Sequence, residues 1–67
     1  MDEGDVRFMS QAMGLFAEAM AIEANIKGME AENKWREHCG NSIAYAYDSF
    51  AIKEVELQEI AMKLRNL

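Results

Sequence analysis

The sequence predicts an all-α protein, a two-helix antiparallel hairpin with a long first helix that assembles into a dimeric helical bundle. An apolar content of 51% is too high for a disordered chain, and the absence of proline favours long uninterrupted helices. The 67 residues allow one small domain, residues 1–67, which on its own would bury only about 60% of the surface that its unfolded form exposes. A single cysteine excludes an intrachain disulfide, so a lone copy would be only marginally stable.

The first helical pattern covers about residues 5–39. Acidic residues stand at its start, where they favour the positive end of the helix dipole, and Arg36 and His38 stand near its negative end. Gly40 follows at the position where a left-handed residue commonly ends a helix. We therefore expect a helix with a glycine cap at its C-terminus.

The second helical pattern covers about residues 49–66 and follows a turn of residues 40–48. Asp48 is a suitable N-cap, because its carboxylate can accept hydrogen bonds from the free N–H groups of the first helical turn. Two helices on so short a connection should fold back on each other as an antiparallel hairpin.

An apolar seam runs along the first helix at alternating spacings of four and three residues. It consists of Phe8, Ala12, Leu15, Ala19, Ile22, Ile26 and Met29. Only the N-terminal half adds a second apolar flank, which consists of Met9, Met13, Phe16 and Met20. Because the first helix is about 50 Å long and the second about 27 Å, we expect the second to cover residues 20–39 and to leave residues 6–22 without an intrachain partner.

The uncovered half predicts a homo-oligomer, with an antiparallel dimer as the simplest form. Burying a large apolar side chain stabilises by about 1.5–3 kcal/mol, so six such groups favour association. The predicted large interface residues are Phe8, Met9, Met13, Leu15, Phe16 and Met20. A strip of small residues adds Gly14, Ala17 and Ala21, which would let two backbones approach closely. The alternative is that this strip is solvated, since alanine is also the best helix former.

The turn gathers large side chains that could bind another protein. They are Trp35, Ile43, Tyr45 and Tyr47. Tyrosine and tryptophan are enriched at binding hot spots, which supports a partner-binding surface. The alternative is that these residues plug the open end of the hairpin, with the tyrosine hydroxyls reaching water.

No motif points to catalysis, so we expect a non-enzymatic protein with no catalytic residue, no cofactor and no metal. His38 and Cys39 are the only strong soft-metal ligands, and one of each cannot complete a four-ligand zinc site. The sequence has no glycine-rich phosphate loop and no Gly-x-Ser-x-Gly elbow.

Charge and hydropathy limit the partners. Twelve acidic and seven basic residues give a net charge of −5, which opposes direct nucleic-acid binding. The first residues are acidic where a signal peptide would be basic, and the most apolar window, residues 8–22, is too short to cross a bilayer. We therefore expect a cytoplasmic protein that binds a second copy of itself and another protein, and no membrane.

One segment resembles a known group of proteins. The run IKGMEAEN at residues 26–33 is similar to small helical-hairpin accessory proteins of temperate lambda-like phages, and the likeness covers about residues 19–64. Later residues that share it are Arg36, Gly40, Ser42, Ile43, Ala44 and Tyr45. The resemblance implies an early-expressed, non-enzymatic protein that binds host or phage proteins in the host cytoplasm. It transfers no functional residue.

Two functions fit these observations. The preferred one is an oligomeric helical interaction module that binds another protein. The alternative is an acidic nucleic-acid mimic that occupies a DNA- or RNA-binding protein. Mimicry needs dense carboxylates on one face, whereas here basic residues are interspersed among the acidic ones.

Overall fold

The computed structural model describes residues 2–67, and over this range the chain forms two α-helices and no strand. α1 spans Glu3–His38 and α2 spans Tyr47–Arg65. At 1.5 Å per residue these helices are about 54 Å and 28 Å long. They pack against each other, which confirms the predicted all-α hairpin with a long first helix.

α1 begins two residues earlier than predicted because Asp2 caps it. The Asp2 carboxylate accepts a hydrogen bond from the Asp5 N–H at 2.8 Å. This bond satisfies one of the N–H groups that a first helical turn leaves without an intrahelical partner. Glu3 and Asp5 in that first turn add negative charge at the positive end of the helix dipole.

α1 ends at a glycine cap, as predicted. Gly40 has a φ of 78°, a left-handed conformation that costs little only for glycine. The Gly40 N–H donates to the Glu37 carbonyl at 3.0 Å, and the Asn41 N–H donates to the Arg36 carbonyl at 2.7 Å. Both bonds belong to the Schellman motif, which uses the last free carbonyls of a helix and turns the chain back.

The side chain of Asn33 holds the connection between the helices. Its amide Nδ2 donates to the Tyr45 carbonyl at 2.8 Å, and its Oδ1 accepts from the N–H groups of Ala44 and Tyr45, both at 3.0 Å. α2 then begins at Tyr47, with Ala46 as the N-cap residue. The prediction that Asp48 is the N-cap is therefore wrong. The bonds from Asn33 hold the backbone at Ala44 and Tyr45, and the helix begins two residues later, before the chain reaches Asp48.

The register of the two helices differs from the prediction. The connection runs back along α1 to Asn33, so α2 begins beside Asn25 and Met29 rather than at the end of α1. The last turn of α2 consequently lies beside α1 residues 10–18, where Met62 and Leu67 border the same groove as Leu15. The expectation that α2 covers residues 20–39 was wrong by more than two turns.

The hairpin is a single layer of helices. Its Cα atoms span 57 × 18 × 9 Å, and the radius of gyration of 16.5 Å compares with about 11 Å for a compact domain of this length. Within residues 2–67 only Met29 and Ile60 are buried. Stable domains contain two or more packed layers around a core, so one copy of this hairpin supplies half of such an architecture.

Candidate functional site

A continuous apolar face occupies the N-terminal half of α1. It repeats at spacings of three and four residues, as in a coiled-coil seam, and stops at the charged residue Glu23. We call it the methionine face, and it consists of Val6, Met9, Met13, Phe16 and Met20. Its side chains are open to solvent: Met13 is 67% exposed, Phe16 is 58% exposed and Met20 is 70% exposed.

The direction of the methionine face, rather than the length of α2, explains this exposure. The seam residues Leu15, Ile22 and Ile26 are half-buried and face α2. At 100° per residue the centre of the methionine face lies about 140° around α1 from that seam. An extended α2 would therefore still leave Met13 in solvent. Phe8 differs, because it lies on the α2 side of α1 but beyond the groove that the end of α2 forms.

The methionine face is electrically neutral. Arg7 and Glu18 are the two charged residues between Val6 and Met20. Both lie at least about 140° around the helix from the centre of the face. Between Val6 and Met20 a second methionine face would therefore meet no charged side chain.

The other predicted interface residues separate into two groups. Leu15 is half-buried and borders the groove at the C-terminal end of α2, so part of its surface is already used within the chain. Gly14, Ala17 and Ala21 are exposed. Within the described chain a Cβ added at Gly14 would meet no atom within 4 Å, so the small-residue strip is open in a single copy.

The residues around the turn do not form one surface. Tyr45 is half-buried and is held by Asn33, which is compatible with its plugging the hairpin. Trp35 is 64% exposed and stacks on His38, with ring centroids 6.0 Å apart. It lies on the other side of α1 from Asn33, because residues two apart in a helix point about 160° away from each other. Trp35 therefore does not plug the hairpin. Tyr47 is 83% exposed and Ile43 is also exposed.

The sequence reasoning missed a second exposed apolar surface, which lies on α2. We call it the α2 ridge, and it consists of Ile52, Val55 and Met62, all exposed. The centre of the ridge lies about 150° around α2 from the residues that face α1, which include the buried Ile60. Ile52 and Met62 also border grooves between the two helices. Its signal in the sequence is the spacing of three and seven residues between Ile52, Val55 and Met62.

The possible metal ligands within residues 2–67 do not gather at one place. In the part of the chain that the structure describes, no three His, Cys, Asp or Glu residues come close enough to hold a metal ion. The side chains of Glu32 and Arg36 form an ion pair at 2.9 Å and remain partly solvated, so this pair contributes only about 0.3–0.5 kcal/mol. Between residues 2 and 67 neither helix combines the length and the apolarity that a membrane crossing needs.

Comparisons with known proteins leave these surfaces as the main evidence on function. The chain matches no protein-family model, and no curated protein and no solved structure shows significant similarity to it. The resemblance of residues 19–64 to phage accessory proteins stays a prediction.

Proposed function

We propose that the chain is a non-enzymatic, self-associating helical module that acts by binding other proteins. The observation that carries the proposal is the exposed, uncharged methionine face on a hairpin one helix thick. A second copy placed against this face would bury it between two α1 helices, one from each subunit.

The exposed surface of the single chain supports this proposal. The chain has an accessible surface of 5357 Å², whereas a monomeric protein of its mass typically has about 4,300 Å². The excess is about 1,000 Å². A stable interface buries about 800 Å² on each partner, so the excess is sufficient for one protein–protein interface.

The pattern of the methionine face favours an antiparallel arrangement of the two copies. Met13 lies at the middle of the face, and a two-fold axis through it would place Met13 opposite its equivalent. The same axis would place Val6 opposite the partner subunit's Met20, since both lie seven residues from the centre. The large residues would then meet along the full 15-residue face, which is about 21 Å long.

The mass in solution tests self-association. Sedimentation equilibrium over a range of micromolar concentrations should give twice the 7.6 kDa mass of the chain. Hydrogen exchange on the same sample should show protected amides in the first two turns of α1, which extend past the end of α2 and would fray in a monomer. A folded species of 7.6 kDa at all concentrations would refute the proposal.

A role in binding other proteins is the second part of the proposal. The surfaces that remain outside the methionine face include Trp35, Tyr47 and the α2 ridge, all exposed. Side chains of these kinds are common at interfaces. If the chain is a phage accessory protein, as residues 19–64 suggest, its partners are host or phage proteins. Affinity capture from the native host, with Trp35→Ala as the comparison, tests this part.

A further inference from the structure

We infer that the α2 ridge docks an amphipathic helix of another protein whose apolar side chains are flanked by lysine or arginine. This inference rests on the proposed function, in which a second copy occupies the methionine face of α1. It adds the chemical class of the partner and the surface that binds it.

The shape of the α2 ridge fits a helix. Ile52, Val55 and Met62 lie within an arc of about 80° along two to three turns of α2. A shallow groove at the Ile52 and Val55 end of the ridge is lined by Ala51, Ile52, Val55, Glu56 and Glu59. An amphipathic helix binds such a surface by inserting side chains spaced three and four residues apart.

The charges of the α2 ridge select the partner. Glu56 and Glu59 line the groove, which contains no basic residue. Asp48 lies on the same side of α2, one turn before Ile52. Glu56 already pairs with Lys53 at 3.6 Å, so Asp48 and Glu59 are the carboxylates in line with the ridge that could meet a partner's cations. The basic residues at the Met62 end are Lys63 and Arg65.

The same charges argue against a second copy as the occupant. Two α2 ridges placed together would bring the Glu59 carboxylates of both chains close to each other, and like charges at an interface are destabilising. The methionine face of a second copy has no basic residue that could pair with the carboxylates beside the ridge. The two exposed apolar surfaces therefore differ in their expected partners: the neutral face suits self-association and the acidic ridge suits a basic helix.

Two synthetic helical peptides test the inference on the full chain. Both carry the same apolar side chains, and one is flanked by lysine and the other by glutamate. Fluorescence anisotropy at low salt should show the lysine peptide binding at least tenfold more tightly. Ile52→Ser should weaken its binding about tenfold, because a large apolar contact is lost.

A pair of charge reversals separates a local contact from the effect of net charge. Glu59→Lys lies on the ridge, whereas Glu54→Lys makes the same change about 140° around α2 from Glu59. Glu59→Lys should weaken binding of the lysine peptide roughly fivefold to tenfold, and Glu54→Lys should change it less than twofold. Circular dichroism of each variant checks that the helices remain formed.

Several results would overturn the inference. Equal affinity for the two peptides would show that charge does not select the partner, and equal effects of the two reversals would show that no local contact exists. Dissociation of the oligomer by Ile52→Ser would assign the ridge to a second copy. Sedimentation of the same samples keeps the two proposals distinct, since an intact dimer that ignores the lysine peptide refutes the docking site alone.

Discussion

Replacing Met13 by glutamate tests the methionine face at its centre. Met13 is 67% exposed in the single chain, so about two-thirds of its surface is available for burial by a second copy. With about 1.5–3 kcal/mol for full burial of methionine, each copy would lose about 1–2 kcal/mol. A two-fold interface contains the change twice and places two carboxylates together, which costs several kcal/mol more. The dimer should weaken by at least about 3 kcal/mol, or more than a hundredfold in Kd.

Sedimentation equilibrium measures this effect, and Met62→Glu is its matched control. Methionine and glutamate have similar helix propensities, so neither substitution should unfold the hairpin, which circular dichroism can verify. Met62 is 55% exposed but lies on the α2 ridge, outside the methionine face. We expect the Met13 variant to be monomeric at micromolar concentration and the Met62 variant to keep the mass of the unmodified protein. A dimeric Met13 variant, or a monomeric Met62 variant, would refute the assignment of the interface.

Three further substitutions test the hairpin itself by urea denaturation. Asn33→Ala removes three hydrogen bonds to the connection and should lower the free energy of unfolding by about 2–3 kcal/mol, whereas Asn25→Ala at an exposed position should change it by less than about 0.5 kcal/mol. Equal effects of the two would contradict the role assigned to Asn33. Gly40→Ala should cost about 1–2 kcal/mol because φ is 78°, and an unchanged midpoint would be inconsistent with the glycine cap. Gly28→Ala should stabilise by about 0.5–1 kcal/mol, since in the described chain no atom lies within 4 Å of the added Cβ. Destabilisation at Gly28 would instead indicate that the small-residue strip is packed in the assembly.

The exposed methionine face illustrates how a correct expectation can rest on an incomplete reason. The spacing of Met13, Phe16 and Met20 predicted an uncovered apolar flank, and the structure shows these side chains in solvent. From the sequence, their exposure was expected to result from the short second helix. In the structure α2 reaches residues 10–18, and the flank is exposed because it points away from α2. Periodicity along one helix fixes the angles between its side chains, but it does not determine on which side of that helix a second helix packs.

Local chemistry accounts for the features that were predictable from the sequence. Acidic residues at the start, Gly40 at the end and an unbroken helical pattern between them act within a few residues of each other, so α1 could be recognised without its tertiary neighbours. Asn33 and Tyr45 are twelve residues apart, and their contact sets where α2 begins and which residues of α1 it covers. The side-chain hydrogen bonds of asparagine carry no sequence period, so only the folded chain reveals this contact. The register of the hairpin, and with it the position of the α2 ridge, was therefore decided by tertiary structure.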